Sequence, residues 1–199
     1  MHPNPLFRSE DRDLLRELVH QIGFGMVFLT TSDGPRVAHT PLLLSEDGKL
    51  RFHLARGNAL TKHLEGANAL VTVNGPDGYV SPRWYDDRDT VPTWDYVALE
   101  MEGRVRMLAE TELDTLLYDL IAKHESRLEG TRWEASEASE SMWNQLLKGI
   151  RGFEIDIAVW RPTLKLSQKR TAQERERIAA GLDQSGSARL AQFMRRLPA

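Results

Sequence analysis

The residues best suited to hold an anion lie in one stretch, His53-Leu54-Ala55-Arg56-Gly57-Asn58-Ala59-Leu60-Thr61-Lys62-His63, where an alternating segment gives way to a short basic turn. A guanidinium can grip phosphate oxygens through two parallel hydrogen bonds, and a lysine ammonium adds a mobile point charge, so Arg56 and Lys62 are the candidate anion ligands. Gly57 and Asn58, lying between them, tolerate positive φ or a close backbone approach, so exposed amides there could converge on a phosphate. The same residues also suit a solvated strand end carrying ordinary surface charges.

The element that must position this turn is the strand before it. Leu50, Phe52 and Leu54 alternate with Lys49, Arg51 and His53, the period-two pattern of a strand with one buried face. Upstream, Ser9 reads as the N-cap of a helix whose face carries Leu14, Leu15, Leu18, Val19 and Ile22, and Gly23 ends it. Phe24 to Thr31 reads as a strand buried on both faces, and Ser32-Asp33-Gly34-Pro35 turns it into a second strand, Arg36 to Leu44. Pro41 cannot donate to a ladder, which puts that strand at an edge or a bulge. His39 and His53 lie in these strands without an assignable role.

Ala69 to Val73 reads as a further strand, followed by Asn74-Gly75-Pro76-Asp77-Gly78-Tyr79-Val80-Ser81-Pro82-Arg83-Trp84-Tyr85. Its glycines, prolines and aromatics predict a shaped, non-repetitive loop of the kind that forms a site or an interface. A second aromatic group, Trp94 and Tyr96, leads into a strand through Met107 with Gly103 as its bulge or bend. Thr111 reads as the cap of a helix carrying Leu113, Leu116, Leu117, Leu120 and Ile121. A second helix spans Met142 to Ile150, a last strand Phe153 to Val159, and residues 173–197 are helical with breaks near Gly181 and Gly186. The expectation is an α+β single domain over 1–199: an antiparallel Greek-key barrel with a helical insertion at about 111–150 and a basic helical segment at about 171–199.

Composition narrows the classes. With 41% hydrophobic and 28% charged residues among 199, the chain reads as an ordinary globular protein with no spanning apolar run or leader, expected in the cytoplasm and off the membrane. The absence of cysteine excludes disulfides, thiol catalysis and cysteine-ligated metal. His124-Glu125 lacks the second histidine of a zinc-protease pair, so no metal site is expected. Residues 161–199 carry nine Lys or Arg against three carboxylates, a balance of +6, which leaves −9 for the first 160 residues given −3 overall. A basic segment on an acidic body suits nucleic acid, an acidic partner or an anionic cofactor alike.

Five segments in order, GPRVAHTPLLL, HLARGNALTKHL, GPDGYVSPRWY, VPTWDYVALEMEGR and LKLSQKR, closely resemble the PaiB family. These are FMN-binding negative transcriptional regulators, related to the pyridoxamine phosphate oxidases and sharing the FMN-binding split-barrel fold. The resemblance implies a homodimer with two FMN sites at the subunit interface. It carries Arg56, Asn58 and Lys62 onto the stretch facing the flavin phosphate and ribityl chain, and Trp84, Tyr85, Trp94 and Tyr96 onto the ring pocket or the interface. Lys165, Gln168 and Arg170 match a late polar motif that approaches the flavin from the partner chain. Asp77 and Gly78 stand where the pattern has His-Ala, and Asp95 and Lys169 where it has Asn. A carboxylate beside an electron-rich ring opposes an anionic reduced flavin.

Three functions are open on this reading. The first is a flavin-binding regulator or sensor that represses transcription, directly or through a partner. The others are a flavin-dependent oxidoreductase acting on a small molecule and a flavin-free interaction module. No helix-turn-helix, nucleophile or carboxylate pair stands out, so direct DNA binding is weakly supported and no catalytic residue is assigned.

Overall fold

A computed structural model of the chain describes residues 2–197. Seven strands form one sheet in the order β2-β1-β5-β6-β7-β4-β3. They are β1 (Phe24–Thr31), β2 (Gly34–Pro41), β3 (Leu43–Leu44), β4 (Leu50–Ala55), β5 (Asn68–Val80), β6 (Thr93–Met107) and β7 (Ile150–Lys165). Five helices join them: α1 (Arg12–Ile22), α2 (Glu110–Glu125), α3 (Glu140–Gly149), α4 (Ala172–Gln184) and α5 (Ala188–Arg196). Every pairing with a described register is antiparallel, and β4 pairs with distant β7, Phe52 opposite Phe153 and Ala55 opposite Ile150. The first and last parts of this order meet where the Thr40 hydroxyl donates to the His53 carbonyl at 2.7 Å. The architecture is the α+β antiparallel split barrel with a helical insertion.

The chain divides into two compact units. One takes residues up to 15, 74–100 and from 161 on; the other takes 16–73 and 101–160. β5, β6 and β7 each contribute residues to both. In the second unit Leu50, Phe52, Leu54, Phe153 and Ile155 are buried, and the Phe52 and Phe153 rings stack at 5.5 Å. Leu108, Leu113, Leu116 and Leu120 form a further cluster there, on which Leu43, Leu117, Leu147 and Ile150 pack. In the first unit Val97, Leu99, Leu164 and Leu166 are buried, as are Ile178, Leu182, Leu190 and Met194 of the C-terminal helices.

Several local expectations are corrected. The α1 cap is Asp11, whose carboxylate accepts from Leu14 N–H at 3.0 Å, while Ser9 accepts from Asp11 N–H one step earlier. α2 starts at Glu110, with Ala109 N–H donating to Glu112 at 2.8 Å, so Thr111 lies inside the first turn. β1 is only partly buried. The stretch expected to be a loop from Asn74 is strand as far as Val80. Its glycines serve close packing: a Cβ on Gly75 would sit 2.9 Å from Val97, and one on Gly78 2.9 Å from Ser187. Gly103 admits the β7 backbone, since a Cβ there would lie 1.9 Å from the Asp156 carbonyl oxygen. Gly181 sits inside α4, where a Cβ would fall 2.2 Å from the Trp84 ring, so only the turn at 185–187 separates the last two helices.

An ion cluster gathers around a buried carboxylate in the second unit. Glu154, 3% exposed, receives Arg51 at 2.7 Å, Arg106 at 2.9 Å and Lys49 at 3.3 Å, and Arg106 also meets Glu112 at 2.8 Å. Hydrogen bonding from Arg106 holds the Glu112 carboxyl down at about 2. Burial works against ionising Glu154, yet the bonds from Arg106, Arg51 and Lys49 outweigh it and hold that carboxyl below its ordinary value. Both folded values lie below the unfolded ones, so this stabilisation is complete above pH 4.5 and falls away toward pH 2. Asp95 acts in the opposite sense, because burial raises its carboxyl and favours the protonated folded form. Acid titration followed by circular dichroism is expected to show stability declining across that interval, with Glu112→Gln flattening the decline.

Candidate functional site

The basic turn is built by its own hydrogen bonds. Asn58 N–H donates to Ala55 C=O at 2.9 Å, the Thr61 hydroxyl donates to the same carbonyl at 2.8 Å, and Asn58 Oδ1 accepts from Leu60 N–H at 2.9 Å. Leu60 and Leu64 are fully buried and peg the turn to the core, and Thr61–His63 is a single turn of 3-10 helix. Arg56 and Lys62 are left exposed, and neither has an ion-pair partner among the described residues. Gly57 does not adopt positive φ; what distinguishes it is open space, with no atom within 4 Å of where its Cβ would be. Two unneutralised cations beside an approachable backbone fit a phosphate group, with the Asn58 side-chain NH2 still free to donate because its oxygen is already used.

His53 lies in the same unit, half-buried, with Nδ1 unpartnered, and burial lowers its pKa. His39 is exposed on β2 opposite Met26.

The aromatic residues assemble in the other unit. Trp94 Nε1 donates to Asp77 at 2.8 Å and its ring meets Tyr79 edge-on at 6.3 Å. With Trp84, Arg83 and Ser187 these residues border a cavity of about 410 Å³, within the size range of pockets that take flat organic ligands. Trp84 is held by packing over Gly181 and by Arg177, which donates to its carbonyl at 3.1 Å. Tyr85 is buried with the Arg170 guanidinium 3.6 Å above its ring, and burial pushes its phenol up against the pull of Arg170. Tyr96 lies on β6, half-buried.

The late polar motif turns inward on this unit. Lys165 donates to the Thr93 hydroxyl and the Trp94 carbonyl at 2.5 Å each, and lies 3.8 Å from Asp95. Gln168 closes the turn at 164–168, accepting from Leu166 N–H at 2.9 Å and donating to the Leu164 carbonyl. Arg170 also approaches Glu174 at 3.6 Å, and Lys169 is exposed. Asp95 is wholly buried, with Oδ2 accepting from the Ser167 hydroxyl at 2.5 Å. Ser167 adopts a left-handed φ of 54°, which aims its hydroxyl at that carboxylate. Asp95 is therefore a structural anchor for the motif. Sequence reading missed Ser167, Arg175 and Tyr79 here; the first and last lie inside the conspicuous motifs, whereas Arg175 gave no signal.

Among the described residues no group of three His, Asp or Glu could hold a metal ion, and no helix is long and apolar enough to cross a membrane. Comparison with known proteins adds the following. The sequence model of the family described as "Putative FMN-binding domain" matches residues 1–159. The "Protease synthase and sporulation protein PAI 2" of Bacillus subtilis is 31% identical over 169 residues, 82% of this chain and 80% of that protein. Among solved structures, the FAD and heme binding protein from Mycobacterium smegmatis superposes with a TM-score of 0.60 at 21% identity, covering 88% of this chain and 80% of that one. The flavocytochrome Anf3 from Azotobacter vinelandii also gives 0.60, at 17% identity, covering 83% and 72%. These two likenesses show the fold.

Proposed function

The chain belongs to this FMN-binding family, and on that premise we propose that it is a homodimeric PaiB-like flavoprotein acting as a regulator or sensor, with each FMN held between two subunits. Its cofactor is FMN. Arg56, Asn58 and Lys62 of one subunit meet the phosphate. Trp84 and Trp94 of the other line the cavity that receives the ring, Tyr85 lies buried under Arg170, and Lys165, Gln168 and Arg170 fix that wall. When bound, FMN supplies the electron chemistry, and the protein has only to bind it, orient it and limit water at its face. The observation carrying this reading is the pair of unneutralised cations flanking the open backbone at Gly57.

A regulatory rather than purely catalytic role is supported by the name of the Bacillus subtilis relative, which includes "sporulation protein". Regulation through a partner is favoured over operator binding. The C-terminal cations that gave the basic balance are largely paired: Arg161 with Glu100, Arg177 with Asp86, Arg195 with Glu176 and Asp183. Arg175 is spent on the Met194 and Leu197 carbonyls at the end of α5. Little free charge remains there to displace counterions from DNA.

The visible spectrum of the purified protein, followed by FMN titration with light scattering, tests the proposal. Flavin bands or saturable uptake at about one FMN per chain in a dimer is expected. A colourless dimer indifferent to FMN would remove the cofactor role, and a monomer that binds it would remove the shared site. Salt-sensitive binding to a promoter fragment would restore the operator reading, while turnover of a nicotinamide donor with a defined acceptor would favour an oxidoreductase. Mixed dimers carrying Arg56→Ala in one chain and Arg170→Ala in the other are expected to keep one intact site of two. Loss of both sites would place Arg56 and Arg170 in the same subunit's site.

A further inference from the structure

In the second unit Glu154 receives three cations, Lys49, Arg51 and Arg106. Arg56, Lys148 and Arg151 are grouped differently: among the described residues none of the three is in an ion pair, and all line one hollow of about 120 Å³. The backbone imposes this grouping. Ala55 is registered opposite Ile150, and Arg56 N–H donates to Gly149 C=O at 2.9 Å, which pins the end of β4 to the junction of α3 and β7. Lys148 is in the last turn of α3, and Arg151, half-buried, is the second residue of β7. Beneath them the hollow reaches Leu108, Leu113 and Leu147, part of the apolar cluster under the helical insertion.

Like charges gathered around one concavity repel unless an anion joins them, and an apolar floor rewards a ligand that is not bare. We infer that this hollow binds a small organic anion, its phosphate or carboxylate head between Arg56, Lys148 and Arg151 and a short apolar body on the leucine floor. The volume is below the roughly 300–1,000 Å³ of pockets for drug-sized ligands, so a flavin ring does not fit. Glu110 on the wall leaves the balance positive and disfavours bulky polyanions. Asn58 and Lys62 do not line the hollow; only Arg56 is common to it and the proposed flavin phosphate site.

Calorimetric titration of the full chain with n-butyl phosphate, pentanoate and inorganic phosphate, with and without saturating FMN, tests the site. An organic anion is expected to bind saturably without FMN, about tenfold more tightly than inorganic phosphate, and more weakly with FMN present because Arg56 serves both sites, the head that binds better identifying the ligand class. Lys148→Ala and Arg151→Ala should each weaken it about tenfold or more, whereas the exposed change Arg88→Ala should not. Lys148 is exposed and Arg151 half-buried, and a thermal melt of each variant separates lost binding from lost folding. No saturable binding, or equal weakening by Arg88→Ala, overturns the site. So does displacement of the probe by FMN together with lost FMN affinity in Lys148→Ala and Arg151→Ala, which would make the hollow the flavin's own phosphate end. Because the FMN-free titration stands alone, a protein that ignores FMN would not affect it.

Discussion

Gly103→Ala is expected to cost about 3 kcal/mol or more of folding stability, the upper end for forcing an atom into a packed interior. The added methyl would lie 1.9 Å from the Asp156 carbonyl oxygen and 2.8 Å from Ile155 Cγ2. A flexible side chain could swing clear of such an overlap, but a strand carbonyl can move only if its ladder moves with it. The matched control is Gly149→Ala, where no atom lies within 4 Å and φ is ordinary, so stability should hold or rise slightly. Denaturant melts of both variants decide the matter: equal midpoints would mean that β7 does not approach Gly103 so closely.

The largest effect on binding is expected from Arg56→Ala combined with Lys62→Ala. Each change removes a charge-assisted hydrogen bond, on the order of 1 to 3 kcal/mol, or roughly tenfold to a hundredfold in affinity for FMN. If both cations hold one phosphate, the combined loss will depart from the sum of the single losses. Riboflavin, which lacks the phosphate, supplies the internal control: its affinity should be unchanged by the double substitution. FMN affinity that survives both changes would remove the phosphate assignment, and an equal loss for riboflavin would show that the turn shapes the ring pocket instead.

The parts of the molecule legible in the sequence are those whose periodicity is decided by burial. Leu50, Phe52 and Leu54 alternate because one face of β4 is core, and Leu113, Leu116 and Leu120 repeat because α2 lies on its own cluster. The aromatic motifs were legible as residues but not as geometry. Gly75, Pro76 and Gly78 look like punctuation, yet the glycines are there because Val97 and the C-terminal helices come too close for a Cβ. The Glu154 cluster left no sequence trace, since its partners at positions 49, 51 and 106 meet it only through folding. Asp95 was read as a hazard to a reduced flavin, and only burial beside Ser167 and Lys165 reveals an anchor. The convergence of Arg56 with Lys148 and Arg151 was equally hidden, because it depends on the register of β4 against β7.

The interleaving of the two units along the chain bears on how this protein can be altered by insertion, deletion or exchange. β5, β6 and β7 each pass through both units, so no single cut in the polypeptide yields either one whole, and any crossover between homologous genes that swaps one must break three strands. The two longest stretches outside the sheet after β1 are the helical excursion between β6 and β7 and the helices after β7, and insertions there interrupt no strand. Those appendages, rather than the strands, are where this chain would take added length without breaking a ladder.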